Sequence, residues 1–482
     1  MSADCAHLIA QSGIQFGTSG ARGLNTQFTA QVCQAFMVAM IEQLRTRYHF
    51  DTVVLGMDNR PSSPLITQYC ISALRALGIK VRFGGVLPTP ALALYAQQNA
   101  VAAVMVTGSH IPHDRNGLKF YHPHGEIDKV DEAAILACRS GVGSLTIQPL
   151  PAPDSQITAP YLSRMIDVFP ADLCAGLRIG LYEHTSAGRE LYASVLRTLG
   201  AQVICLGRSE EFVPVDTEAL SEQDRAKAEY WTKEHQLDLL FSTDGDGDRP
   251  MIADHTGQWH RGDMLGLLSA KALGIEALSV PLNCNSSLEL SGEFKQIQRT
   301  RIGSPYVIEQ LTALTECYEA VAGFEANGGF LLGSDITLGG KAMVRLPTRD
   351  ALLPLLAILY LSKQCGANLA QLMSQYESRF TASHRLQGIE KASSDRLLTL
   401  LQEQPLRLAT MLACRDTPKV LSTLDGVRFA LDAERIVHLR QSGNAPELRC
   451  YAEAPSQQQA NELVEMLLSA VLRYFARPAP GS

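Results

Sequence analysis

Short apolar runs and amphipathic stretches alternate along most of the chain, and the alternation repeats. Thr52-Val53-Val54-Leu55-Gly56 shows no period-2 polarity, which predicts a strand buried on both faces. A polar turn follows, Asp58-Asn59-Arg60-Pro61-Ser62-Ser63. A helical stretch then runs over 64–77 and stops at Gly78, and Lys80-Val81-Arg82-Phe83-Gly84 reads as a second strand. The plan returns with a strand over 177–181, a loop over 184–188, a helix over 189–199 that stops at Gly200, and a strand over 201–205. Arg75-Ala76-Leu77-Gly78 and Arg197-Thr198-Leu199-Gly200 close the two helices alike. A third copy runs from Leu278-Ser279-Val280-Pro281-Leu282 to Ile302-Gly303. Repeated strand–helix–strand units predict several similar α/β domains.

Other stretches fill in the plan. An amphipathic helix over 29–47 carries Val32, Phe36, Ala39 and Met40 on one face. Buried strands are expected over 101–106 and 237–241, and a helix over 355–362. The Pro-rich Gln148-Pro149-Leu150-Pro151-Ala152-Pro153 reads as a linker, and a second domain would end near Gly257. From about Gln371 the α/β signals thin out. Strands are expected over 429–431, 435–439 and 448–451, with a closing helix over 457–475.

Composition narrows the class. A chain of 482 residues suggests three or four domains, and 46% hydrophobic with 19% charged residues is enough to fill their cores. Asp plus Glu number 49 against 42 Lys plus Arg, a net charge of -7 that argues against a nucleic-acid or anionic-membrane partner. The 11 Cys are odd in number and form no C-x-x-C pair, as expected in a reducing compartment. The first residues lack a basic and then apolar leader, and the longest apolar run, over 351–361, contains Pro354 and is too short for a bilayer. A cytoplasmic protein is expected.

Chemistry concentrates where predicted strands end, which is where open α/β sheets gather ligands. The strand over 101–106 leads into Thr107-Gly108-Ser109-His110, with Gly108 allowing a tight turn and Lys119 ten positions beyond Ser109. Ser109 lacks the flanking glycines of a hydrolase nucleophile elbow, and the reading preferred is a serine that carries a phosphoryl group. The strand over 237–241 leads into Asp244-Gly245-Asp246-Gly247-Asp248-Arg249. Three carboxylates at alternate positions repel one another unless a cation joins them, and a hard divalent ion such as Mg²⁺ is the natural guest. An EF-hand fails, because the sixth and twelfth positions are Arg249 and His255. Arg249 beside such an ion would clamp a phosphoryl group.

Three further stretches each have two readings. Phe16-Gly17-Thr18-Ser19-Gly20-Ala21-Arg22-Gly23 is either an anion-approaching loop or a flexible N-terminal segment. Phe324-Glu325-Ala326-Asn327-Gly328-Gly329 is either a pair of sugar-hydroxyl ligands or a simple Asn-Gly hairpin. Arg440-Gln441-Ser442-Gly443-Asn444, with Arg449 beyond it, is either a phosphate nest or a surface hairpin. His110, His113, His122 and His124 fit no zinc spacing.

Together these stretches resemble the α-D-phosphohexomutase family, which includes phosphomannomutases and phosphoglucomutases. The resemblance spans nearly the whole chain in the family's motif order: the N-terminal signature at 16–23, a phosphoserine loop at 107–119, a magnesium loop at 244–249, a sugar loop at 325–328, and a phosphate loop at 440–444 preceded by Asp425-Gly426-Val427-Arg428. It implies four domains around a central cleft: three related α/β domains with mixed sheets and helices on both faces, over 1–153, 154–257 and 258–370, and a smaller α+β domain over 371–482. It implies that Ser109 is phosphorylated at rest and that one Mg²⁺ per chain sits on Ser109, Asp244, Asp246 and Asp248. The reaction implied interconverts hexose 1- and 6-phosphates through a hexose 1,6-bisphosphate, with mannose first and glucose next, in a monomer or homodimer. Lys119 would be the general acid/base, Arg22 and Arg249 would hold the reacting phosphoryl, and His110 would assist or orient. Glu325, Asn327, Gly303, Arg440, Ser442, Gly443, Asn444 and Arg449 would contact substrate. Departures fall at Ile111, where the family usually has Asn, and at Phe324, Asn327, Gly329, Gln441, Asn444 and Ala445. They bear on the sugar more than on the transfer, and leave a phosphoglucosamine mutase or a non-turning sugar-phosphate binder as alternatives.

Overall fold

The computed structural model describes residues 4–17, 20–442 and 446–476. It divides into two units, one comprising the chain up to Ser279 with Gly303–Leu372, the other Val280–Ile302 with the chain from Met373 onward.

The first unit holds three sheets built on one plan. In the first, Thr52–Met57 lies between Lys80–Val86 and Ala102–Val106, all parallel. Arg115–His122 then runs antiparallel beside Ala102–Val106, followed by Ala21–Leu24 and Gln15–Phe16. In the second, Arg178–Tyr182 lies between parallel Gln202–Leu206 and Leu239–Thr243, and Pro250–Asp254 closes it antiparallel. The spatial order matches the first sheet: second, first, third, then a reversed fourth strand. In the third, Ala277–Pro281 runs parallel to Val321–Phe324, with Phe330–Leu332 and then Leu346–Asp350 antiparallel beyond it. The internal repeat seen in the sequence is therefore a repeat of topology.

Local chemistry sets the element ends. The helix Ala30–Arg45 starts where the Thr29 side chain accepts from the Val32 amide at 3.4 Å. Its Phe36 is fully buried and meets Phe16 and Phe120 at ring-centroid distances of 6.2 and 6.1 Å. The strand expected over 237–241 begins instead at Leu239, because the Leu237 amide still closes the preceding helix on Thr232 O at 3.0 Å. In the third copy the crossover helix shrinks to Ser287–Leu290. The helix expected over 355–362 extends to Leu352–Cys365.

The second unit carries a five-stranded antiparallel sheet in the order Phe380–Gln387, Glu447–Ala454, Ile436–Gln441, Val427–Ala430, Lys419–Ser422. Helices Lys391–Glu403, Pro405–Leu412 and Gln457–Phe475 share its core through Leu397, Leu401, Leu408, Leu463 and Leu467. Val280–Ile302 belongs to this unit. Asn285 Nδ2 donates to Arg379 O at 2.8 Å and to Thr381 Oγ1 at 3.0 Å, and the Ile302 amide donates to Asp425 Oδ2 at 3.0 Å. Among the described residues no single helix is long and apolar enough to cross a membrane.

Phe36→Ala removes a fully buried ring from the first sheet's core and should destabilise the protein by about 3–5 kcal/mol. Leu65→Ala, at a position 51% exposed, should cost less than about 0.5 kcal/mol. Urea unfolding followed by circular dichroism measures both, and equal effects would contradict the packing described.

Candidate active site

The three chemical loops of the first unit leave equivalent strands. Ser109 follows Ala102–Val106, Asp244 follows Leu239–Thr243, and Glu325 follows Val321–Phe324. Each is the third strand of its repeat and ends at its carboxyl edge, the edge where open α/β sheets bind ligands. The repeat thus supplies three loops of different chemistry, and they meet.

The contact at their centre is Ser109 Oγ donating to Asp244 Oδ2 at 2.6 Å, with both residues buried. The loops touch at the backbone too: a Cβ on Gly245 would lie 2.8 Å from Ser109 O, so only glycine lets the aspartate loop approach this closely. The special backbone conformation expected at Gly108 falls instead on Ser109, at φ +53°. A non-glycine residue there costs roughly 1–2 kcal/mol, and the turn aims the hydroxyl at Asp244. His110 Nδ1 lies 3.4 Å from Ser109 Oγ and accepts from Arg249 Nη1 at 2.7 Å. Its proton is accordingly assigned to Nε2. Burial, then Arg249 and Arg22, push the imidazole down to about 2, so it is neutral at physiological pH.

Cations fence the aspartates. Lys119 Nζ donates to Asp246 Oδ2 at 2.5 Å and to Asp248 Oδ2 at 2.7 Å. Burial works against its charge, but Asp246 and Asp248 outweigh burial and raise its pKa, so the amine is protonated. Arg249 Nε stands 3.8 Å from Asp244 and 3.7 Å from Asp248. Thr89 Oγ1 donates to Asp246 Oδ2 at 2.6 Å. Burial, then repulsion from Asp246 and Asp248, push the Asp244 carboxyl well up. Asp248 goes the other way: burial opposes its charge, but Arg349, Lys119 and Arg249 hold it below the usual carboxylate range.

The same three carboxyls have the makings of a metal site. One oxygen from each of Asp244, Asp246 and Asp248 lies within 4.8 Å of the others. Oδ1 of Asp246 and Oδ1 of Asp248 are buried without any hydrogen-bond partner. Orphaned buried carboxylate oxygens are costly, and a set of hard oxygen donors suits a hard divalent cation. The residues present therefore fit such an ion.

Arg22 leaves the strand Ala21–Leu24 opposite Gly117. Its guanidinium makes no hydrogen bond or ion pair with another described residue, while burial, then Arg249 and Arg349, push it down to about 10. Two other guanidinium groups act on it, and Asp246 and Asp248 partly offset them, a setting suited to an anion. Thr18 and Ser19 of the same stretch lie outside the described residues. Glu325 is 6% exposed and pairs with Arg349 Nη1 at 3.2 Å. Its loop is indeed a hairpin, between Val321–Phe324 and Phe330–Leu332. Asn327 Oδ1 accepts from the Gly329 amide at 3.0 Å and Asn327 O accepts from Thr217 Oγ1 at 2.9 Å. Gly303, at φ +135°, caps the helix Ser304–Leu314.

The remaining expected residues lie in the second unit. Arg440 and Arg449 are directly paired across Ile436–Gln441 and Glu447–Ala454, so they share a sheet face. Arg440 Nε donates to Asp425 Oδ1 at 3.1 Å, and the Ser442 amide donates to Glu447 O at 2.9 Å. Gly443 and Asn444 lie outside the described residues.

Sequence reading missed four contributors, one of them Thr89 on Asp246. Arg349 bridges Asp248 Oδ2, at 3.0 Å from Nε, to Glu325, and so ties the aspartate loop to the glutamate loop. Asp58 and Arg60 passed as a polar turn, although they too follow the end of a buried strand. That rule would have flagged both residues. Nothing in the local pattern singles out Arg349.

Comparison with known proteins agrees with this architecture. Models of the phosphoglucomutase/phosphomannomutase alpha/beta/alpha domains I, II and III match residues 13–140, 159–257 and 261–380, and that of the C-terminal domain matches 401–470. A phosphomannomutase from Salmonella muenchen is 48% identical over 476 residues, covering 98% of each chain. Another from Sinorhizobium fredii is 38% identical over 470 residues, covering 95% of this chain and 99% of that one. The crystal structure of a phosphoglucomutase/phosphomannomutase family protein from Burkholderia thailandensis has a TM-score of 0.74 at 18% identity, covering 95% of this chain and 97% of that one. With its repeated sheets, its serine and aspartate loops and these matches along nearly its whole length, the chain belongs to the phosphoglucomutase/phosphomannomutase family.

Proposed function

We propose that the protein interconverts hexose 1-phosphates and hexose 6-phosphates in the cytoplasm, with mannose phosphate as preferred substrate and Ser109 as phosphoryl carrier. The observation that carries this reading is Ser109 Oγ held 2.6 Å from a buried aspartate triad inside a ring of cations. The preference for mannose rests on the names of the two curated relatives.

In the resting enzyme Ser109 Oγ carries a phosphoryl group. A sugar hydroxyl oxygen attacks phosphorus, the Oγ–P bond breaks, and a hexose 1,6-bisphosphate forms. The bisphosphate turns over, and its other phosphoryl returns to Ser109 Oγ, leaving the isomeric monophosphate. Phosphoryl transfer asks for position and charge more than covalent help. Arg22 and Arg249 hold the moving phosphoryl, and His110 orients Arg249 through Nδ1. Protonated as it stands, Lys119 gives a proton to Ser109 Oγ as the Oγ–P bond breaks and takes up the proton that the attacking sugar hydroxyl sheds; the return transfer to Ser109 runs the same exchange in reverse. Glu325 and Asn327 bind sugar hydroxyls. Arg440, Ser442, Gly443, Asn444 and Arg449 bind the phosphate that does not react, with Gly303 contributing at its helix start. Asp244, Asp246, Asp248 and Ser109 would hold one Mg²⁺, which would neutralise charge on the phosphoryl oxygens.

The decisive assay offers mannose, glucose and glucosamine 1-phosphates with Mg²⁺ and catalytic glucose 1,6-bisphosphate. Mannose 1-phosphate should turn over fastest, and Ser109→Ala should lose isomerisation and the phosphate mass increment together. Full activity in Ser109→Ala would sink the mechanism. Lys119→Met should lower kcat by about 10²–10⁴-fold, the usual contribution of a general acid/base, and an unchanged kcat would remove Lys119 from that role. Chelation by EDTA should abolish turnover and lower the melting temperature, and added Mg²⁺ should restore both, since a ion bound only by the folded state stabilises it. Asp246→Asn should weaken that thermal response; a response identical to wild type would place the ion elsewhere.

A further inference from the structure

Arg60 sits in the turn after Thr52–Met57, beside the strand that leads to Ser109, and is 1% exposed. Its guanidinium reaches across to the serine loop. Nη2 donates to Ser109 O at 2.9 Å and Ile111 O at 2.6 Å, and Nη1 donates to Pro112 O at 2.6 Å and Arg115 O at 2.9 Å. Nε donates to Asp58 Oδ2 at 3.2 Å. All five N–H bonds of the fork are used. Asp58 grips the loop from its other end, accepting from Thr107 Oγ1 at 2.7 Å and the Gly108 amide at 3.3 Å. Thr107 Oγ1 in turn accepts from the Ser109 amide at 2.8 Å.

Ser109 is therefore held at both backbone ends, its N–H through Thr107 and its carbonyl by Arg60. A residue at φ +53° persists only where its surroundings over-determine it. The fit also extends to Gly108, whose Cβ, if it had one, would lie 2.6 Å from Arg60 Cζ. Phe212 covers the guanidinium, with its ring centroid 4.1 Å from Cζ. None of these hydrogen bonds goes to Ser109 Oγ or to an aspartate of the triad. We propose that Arg60 is a positioning residue: through Asp58 and four loop carbonyls it locks Ser109 in the left-handed turn that aims Oγ at the aspartate triad. A lysine at this position would keep the charge, but its single nitrogen cannot serve four divergent carbonyls.

This inference rests on Ser109 as the phosphoryl acceptor, and the experiment separates the two. Dephosphorylated protein is mixed with glucose 1,6-bisphosphate and Mg²⁺, and Ser109 phosphorylation is timed by intact mass. In that step one phosphoryl moves to Ser109 Oγ, while the sugar oxygen keeps the electron pair of the broken O–P bond and takes up the serine proton. If the wild type gains no phosphate on Ser109, the functional reading fails. If it does, Arg60→Lys should slow phosphorylation by about 10²-fold, as expected for misplacement by about 1 Å. KM for the hexose phosphate should stay within about threefold, because substrate contacts remain. Arg60→Ala should be slowed at least as much, and added guanidinium ion should recover part of the rate. Thermal unfolding checks that each variant is folded, and Arg60→Lys carries the test if Arg60→Ala does not fold. A folded Arg60→Lys protein phosphorylated within about threefold of the wild-type rate would overturn the proposal. So would a loss that appears entirely in KM.

Discussion

Three aspartates packed into one buried turn cannot all be ionised without positive charge close by, and the first unit is arranged around that need. Lys119 from the first sheet, Arg249 from the loop itself and Arg349 from the third sheet converge on Asp244, Asp246 and Asp248. The neutralisation is uneven. Asp248 faces most of the cations and is held charged, while Asp244 is pushed toward its proton and takes the Ser109 hydroxyl as donor. Two of their carboxylate oxygens, Oδ1 of Asp246 and of Asp248, make no hydrogen bond among the described residues. A buried cluster of this kind is a poor stabiliser, since paired buried charges barely recover their desolvation. Its clustered hard oxygen donors fit a divalent cation.

The same charges explain why the three sheets form one unit. Each supplies one loop from its third strand, and the aspartate loop is held from both neighbouring domains. Thr89 of the first sheet's domain bonds Asp246 in the second, and Arg349 in the third reaches Asp248. Glycine permits the closest approach, at Gly245 against the Ser109 carbonyl. Repetition of one topology turns into a site because equivalent strand ends carry different chemistry: a hydroxyl, three carboxylates, and a carboxylate with an amide.

Much of this was legible in the chain. The buried strands, the Gly-stopped helices and the internal repeat follow from apolar runs and turn residues, because strand and helix periods impose them locally. The serine and aspartate loops could be recognised because each keeps its functional atoms within a few consecutive residues. Where the reading slipped, competition between neighbouring elements decided the outcome. Leu237 went to a helix end rather than a strand, and the third crossover helix shortened to Ser287–Leu290. Within the second unit, Asn285, Ser286 and Ile302 make side-chain and backbone contacts to residues 94 to 167 positions away that no local pattern announces.

The sequence by itself determined the classes of element, their repetition and the candidate groups that each loop carries, since all of these depend on neighbours in the chain. Tertiary structure alone decided how those groups are oriented and charged. The left-handed turn belongs to Ser109 rather than Gly108 because Arg60 and Asp58, 49 or more positions earlier, hold the loop in place. Lys119 is a protonated donor rather than a free base because two aspartates from another sheet lie within 2.7 Å. Glu325, whose stretch reads either as sugar ligands or as a hairpin, is tied to Arg349. Such effects act through space at a few ångströms, between residues that the chain keeps far apart.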